Sequence, residues 1–387
     1  MNAPRILCFN RGSSSLKLAL FELGVSERRL AAGAVERIGT AEGRLRLRDD
    51  ANRELADSPA DVRDARAVVD AVFGALEQLG LGAPAAVGHR LVHGGAEHSA
   101  PQRIDAPLMA SLRRLVPFAP LHLPAEIEVI ESVEARLPGS PQVASFDTAF
   151  HQRMPEVAQR LPLRRSLWDD GIRRYGFHGL SYESIVDSVD AVAVGRSVIA
   201  HLGNGASLAA LRDGEPLDTT MAFTPTAGCM MGTRSGDLDP GVLLHLVEHR
   251  GYDAAALDRL VNRDAGLLGV SETTSDMRTL LDERRRDPRA ALAVAMFCYS
   301  VRKHVGALAA VLGGLDTLVF TGGIGEHAAP VRAEICQGLA HLGIRLDPRS
   351  NEKDATVISA AGSATARVVP TDEERMIARH TRRILGF

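Results

Sequence analysis

Lysine is nearly absent from this 387-residue chain: of 45 basic residues only Lys17, Lys303 and Lys353 are lysine. None of them stands in a G-x-x-x-x-G-K-[ST] run, which excludes a P-loop nucleotide site. The kinase-type glycine loop is missing, and no G-x-G-x-x-G follows a strand-like run, which removes the simplest dinucleotide-binding reading. Cysteine is scarce as well. Cys8, Cys229, Cys298 and Cys336 lie far apart without a C-x-x-C pair, so neither a zinc site nor a redox motif is suggested, and reduced, buried thiols are expected. Gly88-His89-Arg90-Leu91-Val92-His93-Gly94-Gly95 has some likeness to a hydrolase oxyanion loop, but without a G-x-S-x-G elbow an α/β-hydrolase is not expected. A net charge of −3 with no basic stripe argues against nucleic-acid and membrane-surface partners. The longest apolar helix candidate is broken by Arg302, Lys303 and His304, and the first residues run into a strand with no basic-then-apolar leader, so a cytoplasmic protein is expected.

What is present is ordinary for a soluble protein, 45% apolar and 24% charged, with length enough for two domains. Near the start, Ile6-Leu7-Cys8-Phe9-Asn10-Arg11-Gly12-Ser13-Ser14-Ser15-Leu16-Lys17-Leu18-Ala19-Leu20 reads as a β-hairpin presenting its turn. Gly12 and three serines keep that tip small, so its N–H groups and hydroxyls could converge on a phosphate; a plain exposed turn is the other reading. A second copy decides between them. Val198 to Leu211 repeats strand, glycine-centred turn and strand, with Gly12 set against Gly205, which suggests a duplicated domain. Two facing tips would clamp a polyphosphate, the halves closing around it.

Along the chain, Leu30 to Leu47 alternates as further antiparallel strands, and Asp61 to Leu79 has helical spacing. Ala85 to Gly88 starts a strand that runs out into His89 to Gly95, and Val143 to Phe146 a strand that delivers Asp147 to His151. Pro107 to Val116 and Pro124 to Leu137 form two helices with proline in the first turn. The boundary falls near residue 150. In the second half Ser181 is a candidate helix cap, and the Gly-, Thr- and Met-rich loop from Phe223 to Pro240 is long enough to be functional. A long helix runs from Asp287 to about Leu312, and Thr317 to Phe320 is a buried strand emptying into Thr321-Gly322-Gly323-Ile324-Gly325-Glu326. Thr371-Asp372-Glu373-Glu374 reads as a capping box for a last helix that packs back on the first domain.

Asn10 to Lys17, Gly88 to Gly95, Phe146 to His151, Tyr175 to Gly179, His201 to Ser207, Met231 to Pro240, Asp276 to Arg278, Gly322 to Glu326 and Thr371 to Glu374 closely resemble the acetate kinase family, in one order over the whole chain. The resemblance implies an α/β, duplicated two-domain fold of the actin, hexokinase and Hsp70-like ATPases, with nucleotide in the interdomain cleft. Residues 1–150 would form the N-terminal domain, joined by the C-terminal helix 375–387, and residues 151–374 the nucleotide-binding domain. It implies a homodimer that uses ATP/ADP and Mg2+, with Mn2+ as a substitute. The γ-phosphoryl group of ATP would pass reversibly and in line to acetate, giving acetyl phosphate and ADP. A propionate or short-chain fatty acid kinase is the neighbouring alternative. An ATP-driven conformational protein on the same fold is the alternative of another class, but it would not need a small-acid pocket.

Carried over residue by residue, the resemblance assigns Arg90 to the acid carboxylate and Arg234 and His178 to the equatorial oxygens of the transferred phosphoryl group. Asp147 matches the family's acid/base residue. A carboxylate is already an anionic nucleophile, so positioning and charge neutralisation dominate, and the chemistry gives Asp147 the role of orienting water or arginine. Asn10 and Glu373, with Asp147 as a further candidate, suit Mg2+, and Glu373 is freer than Glu374, which has the capping box to serve. ATP contacts fall on Lys17, on His201, Leu202, Gly203, Asn204 and Gly205 around the phosphates, and on Asp276, Met277 and Arg278. Gly323, Ile324, Gly325, Glu326 and His327 fall near the adenosine. Val92, Leu121, Phe177 and Pro225 match the small acyl pocket, and a branched Val92 beside Arg90 predicts acetate over propionate. Leu123, Tyr182, Ala227 and Glu272-Thr273-Thr274 depart from the family's usual residues.

Overall fold

Five consecutive buried residues, Ile6 to Asn10, make β1 (Arg5–Arg11) a strand covered on both faces, as the centre of a sheet requires. The computed structural model that shows this describes residues 3–12, 15–40 and 42–387, and of residues 191 and 193 the backbone only. Ser13 and Ser14, expected in the first turn, lie outside the described residues. The chain divides into two units, Met1–Phe150 with Asp372–Phe387, and His151–Thr371.

In the first unit β1 pairs antiparallel with β2 (Ser15–Leu23), and the meander continues through β3 (Glu27–Glu36), β4 (Arg44–Arg48) and β5 (Glu54–Pro59). On its other side β1 runs parallel to β6 (Ala86–Leu91), which is parallel to β8 (Gln142–Phe146); β7 (Gln102–Arg103) closes the order β5-β4-β3-β2-β1-β6-β8-β7. Leu7, Phe9, Leu18 and Leu20 pack with Val69, Val72 and Phe73 of the Ala65–Gln78 helix and Val129 and Val133 of the Leu123–Arg136 helix.

The C-terminal helix, Glu373–Leu385, belongs to this unit. A Cβ at Gly88 of β6 would lie 2.4 Å from Thr381 Oγ1 and 2.5 Å from Ile377 Cγ2, so only glycine admits the helix this close to the sheet. The helix starts two residues earlier than residue 375, and its cap is Asp372, whose side chain accepts from the Arg375 N–H, rather than Thr371. The expected capping box is therefore absent. Glu374 instead accepts from Asn10, as described below.

The second unit repeats the pattern. β9 (Arg196–Leu202) is antiparallel to β10 (Ala206–Arg212), which is antiparallel to β11 (Glu215–Thr219). On its other side β9 is parallel to β12 (Thr317–Thr321), and β12 to β13 (Thr365–Val368). The order β11-β10-β9-β12-β13 thus matches β3-β2-β1-β6-β8 in sequence of strands and in direction. The turns align differently from the sequence expectation. Gly12 N–H donates to the Ser15 carbonyl and Gly203 N–H to the Gly205 carbonyl, so Gly12 corresponds to Gly203, the first residue after its strand, and not to Gly205. By strand register the turns differ in length by one residue.

The Pro288–Leu312 helix, capped by Asp287 and ended by Gly313 at φ +70°, buries a stripe including Val294, Phe297, Cys298, Val301, Val305 and Leu308. All four cysteines are buried and free, and burial raises their thiols, to about 12 for Cys298 and Cys336. No helix among the described residues is long and apolar enough to cross a membrane.

Candidate active site

Arg90 emerges near the end of β6, beside the end of β1 and in register with Asn10. Its Nε donates to Asp147 Oδ2 at 2.9 Å, its Nη1 to the Arg11 carbonyl at 3.4 Å, and Nη1 lies 3.9 Å from Glu126 Oε1. Burial opposes its charge, but Asp147, Glu373 and Glu126 together raise its pKa, so it stays a guanidinium. Glu126, 2% exposed in the first turn of the Leu123–Arg136 helix, accepts the Val92 N–H at 3.0 and 3.3 Å with its two oxygens. Burial pushes it up to about 7, against the pull of Arg90, the Val92 N–H and Arg11. One strand end therefore carries a partly buried cation and the amide of a buried valine, both held by carboxylates.

Beside them, Asn10 Nδ2 bonds Glu373 Oε2 at 2.8 Å and Glu374 Oε1 at 3.1 Å. Burial and the neighbouring Glu373 push Glu374 up, while Lys17, opposite Asn10 in the β1–β2 register, pulls it down. Asn10 and Glu373 thus meet as expected, with Glu374 added.

In the second unit His178 has φ +59°, a left-handed conformation that costs a non-glycine residue, and it precedes the Gly179–Ser188 helix. Gly176, at φ +73°, lies against His151, and a Cβ there would meet that ring at 2.5 Å; His151 Nε2 in turn bonds the Phe177 carbonyl at 3.0 Å. So placed, His178 Nδ1 bonds Ser207 Oγ at 2.9 Å, Ser207 bonds the Tyr182 hydroxyl, and the His178 ring stacks on His201 at 4.2 Å. Ser181 bonds His201 Nδ1 at 2.8 Å and does not cap its helix. A Cβ at Gly205 would lie 3.5 Å from His178 Nε2 and 3.6 Å from Arg234 Nη1, so both side chains converge on the β9–β10 turn.

The loop that carries Arg234 is pinned along its backbone. Gly232 N–H bonds the Asn204 carbonyl, Ser235 N–H the Val261 carbonyl, and the Thr233 and Met231 carbonyls accept from Ala265 and Leu267. Its glycines serve close approach, since a Cβ at Gly232 would lie 2.0 Å from Asn204 Oδ1.

A cavity of about 670 Å³ adjoins this turn, lined by Gly203, Asn204, Asp276, Met277, Arg278, Gly323, Ile324 and His327 among others. Its volume suits a nucleotide. A larger concavity of about 1000 Å³ shares only Pro330 with it, and Arg302 at its edge is already bonded to the carbonyls of Glu334 and Ile335.

A family model described as the acetokinase family matches residues 5–379. The chain belongs to that family. It is 44% identical over 390 residues to the acetate kinase of Nitrobacter hamburgensis, covering 98% of this chain and 96% of that one. With the acetate kinase of Rhizobium meliloti it shares 45% over 388 residues, 97% of each. The crystal structure of Porphyromonas gingivalis acetate kinase superposes with a TM-score of 0.89 at 40% identity, over 99% of this chain and 100% of that one. A propionate kinase from Francisella tularensis superposes with a TM-score of 0.92 at 35% identity, over 98% and 100%. The duplicated α/β architecture is thus the fold of acetokinase relatives along the whole chain.

Within that family fold, several expected ligand residues turn out to hold their surroundings. Asp276 caps the Met277–Glu283 helix, accepting from Thr279 Oγ1 at 2.8 Å, and so presents Met277 and Arg278 to the cavity. Glu326 does not line the cavity: it accepts the N–H groups of Gly322 at 2.9 Å and Thr371 at 3.4 Å, closing the turn after β12. Leu202 and Gly325 are buried, and His201 stands behind His178. Val92, 3% exposed, and Leu121, 37% exposed, fall in the first unit, Phe177 and Pro225 in the second.

Sequence reasoning missed Glu126, Ser207 and Arg332. Fully buried Arg332 donates to the Gly325 and Glu326 carbonyls at 2.9 Å each and fixes the turn from below. No motif marks Glu126 or Arg332, and Ser207 stands only as the last residue of the His201 to Ser207 run; a lone Glu in the first turn of a helix reads as an ordinary helix-dipole partner.

Proposed function

We propose that the chain transfers the γ-phosphoryl group of ATP to acetate, reversibly and in line, forming acetyl phosphate and ADP. The observation that carries this is Arg90, a partly buried guanidinium held in a fixed orientation by Asp147 at a strand end. Such a group is suited to a small carboxylate and leaves no need for a base. Asp147 fixes Arg90 and acts as a positioning residue. ATP is assigned to the cavity beside the β9–β10 turn. His178 and Arg234, converging on Gly205, supply charge and hydrogen bonds to the phosphoryl oxygens as negative charge spreads over them. The left-handed backbone of His178 and its bond to Ser207 hold it ready before substrate arrives.

Asn10, Glu373 and Glu374 offer three oxygen-bearing side chains at one place, a donor set that fits Mg2+, or Mn2+ in its place. The raised Glu374 supports the fit, because a cation there would relieve the crowding of two carboxylates. When bound, the ion would neutralise phosphate charge.

The homodimer belongs to the same proposal. The Pro240–Arg250 helix has no buried residue and exposes Val242, Leu244 and Val247, and the outer face of the Pro288–Leu312 helix exposes Leu292, Met296 and Tyr299. A second copy covering this apolar surface would account for it. ATP as substrate assigns the chain to the cytoplasm.

Hydroxylamine trapping tests the activity: ATP and acetate should yield acetohydroxamate. Propionate should react with a specificity constant roughly 10- to 200-fold lower, the discrimination that one methylene allows. No hydroxamate from any short acid would refute the phosphotransfer, and equal use of propionate would place the chain with the propionate kinases.

A further inference from the structure

Two buried carboxylates share one partly buried guanidinium: Asp147 bonds Arg90 directly, and Glu126 stands 3.9 Å from its Nη1. Glu126 has a second attachment, both of its oxygens taking the Val92 N–H, so it is tied to the strand end that carries both Arg90 and the acyl-pocket valine. With both carboxylates ionised this cluster carries one negative charge in excess. A third carboxylate, that of the substrate, would then enter against a net repulsion in a poorly solvated place. One proton removes the excess.

We propose that Glu126 is a positioning residue for the acid substrate, and that the substrate carboxylate is admitted to Arg90 together with one proton from solvent, carried on the Glu126 carboxyl. The inference rests on the reading of Arg90 as the acid-binding group. Protonated Glu126 still accepts the Val92 N–H through its carbonyl oxygen, so the valine stays in place while the charge disappears.

The ionisable groups acting on Glu126 come from three elements: Arg90 from β6, Arg11 from the end of β1, and Asp147 after β8; Glu128 on its own helix and Glu373 of the C-terminal helix act on Arg11 and Arg90 respectively. Burial outweighs the two arginines and leaves the Glu126 carboxyl titrating near neutrality, at about 7. Asp147, bonded directly to the guanidinium, keeps its hold on Arg90 when Glu126 takes up its proton.

The experiment follows the KM for acetate and kcat in the hydroxamate assay between about pH 7 and pH 9, for wild type and Glu126→Gln. In wild type, KM should rise roughly tenfold per pH unit above the titration of Glu126 while kcat stays level. Glutamine keeps the acceptor for Val92 and drops the charge, so in Glu126→Gln the KM should be low and flat. A merely structural glutamate would move neither the slope nor the separation of KM from kcat. Acetate titrated calorimetrically into wild type saturated with ADP, in two buffers of different ionisation enthalpy, should show about one proton taken up at the alkaline end. That arm decides the matter if the variant does not fold. Hydroxamate formation with a flat wild-type KM, an unchanged slope in Glu126→Gln, or buffer-independent heats would overturn the inference alone. Absence of hydroxamate at every pH would instead remove the reading of Arg90, and the inference with it.

Discussion

Arg234 is a half-buried side chain on a loop whose backbone bonds run to Asn204, Val261, Ala265 and Leu267, all independent of what the side chain is. Its Nη1 reaches the Pro225 carbonyl at 3.4 Å and stands near where a Gly205 side chain would begin. Arg234→Ala should therefore lower kcat by about 10²-fold or more with little change in the KM for ATP or acetate, the pattern of a contact made in the transition state. The thermal midpoint should hardly move, because alanine keeps every backbone bond of the loop. A raised KM for ATP with normal kcat would place Arg234 in ground-state nucleotide binding instead.

At the scale of elements, the Pro240–Arg250 helix stands out as an apolar segment with no fully buried residue: Leu244 is 61% exposed and Val247 48% exposed. A helix of this composition is stable only against something, since helices this short gain most of their stability from packing. Leu244→Glu combined with Val247→Glu should convert a dimer to a monomer in sedimentation equilibrium, each buried leucine or valine being worth about 1.5–3 kcal/mol of association. An unchanged dimer would move the interface to another face, and a monomeric wild type would remove it. The two hairpins carry the other lesson at this scale. Their alternation marked both of them and their kinship, but the length of each turn, and with it the correspondence of Gly12 to Gly203, depended on strand pairing that periodicity does not encode.

For the whole molecule, acid should be the weak side. His89, His93 and His151 are buried, and burial pulls each down to about 4; burial lowers His98 and His304 too. In the unfolded chain these histidines titrate near 6.5, so below that pH the unfolded state binds more protons and stability falls towards pH 4. Glu126, Glu374 and Asp218, raised mainly by burial, act in the opposite sense, because the folded state keeps their protons as pH rises. The three histidines near 4 outweigh Glu126 near 7, so stability falls between about pH 6.5 and 5. Urea midpoints measured at pH 7 and pH 5 should fall accordingly, and equal or higher stability at pH 5 would contradict the balance.

By itself the sequence determined the α/β class, the duplicated hairpins, the buried thiols, the family and most of the residues at the strand ends. These are properties of local pattern: alternation, glycine at turns, and motifs a few residues long, each legible without knowing what lies opposite. Only the tertiary structure decided which charges share a place. Glu126 and Arg90 stand 36 positions apart and come within 3.9 Å because the Leu123–Arg136 helix sets its first turn beside the end of β6. Glu374, expected to reach back to Thr371 in a capping box, faces Asn10 instead, and Asp372 takes the cap. Arg332, which no motif marks, reaches the turn after β12 through a fully buried guanidinium. Burial and charge partnership follow from packing between distant segments. The ionisation states on which the proposed chemistry depends were therefore the part that local pattern had no means to encode.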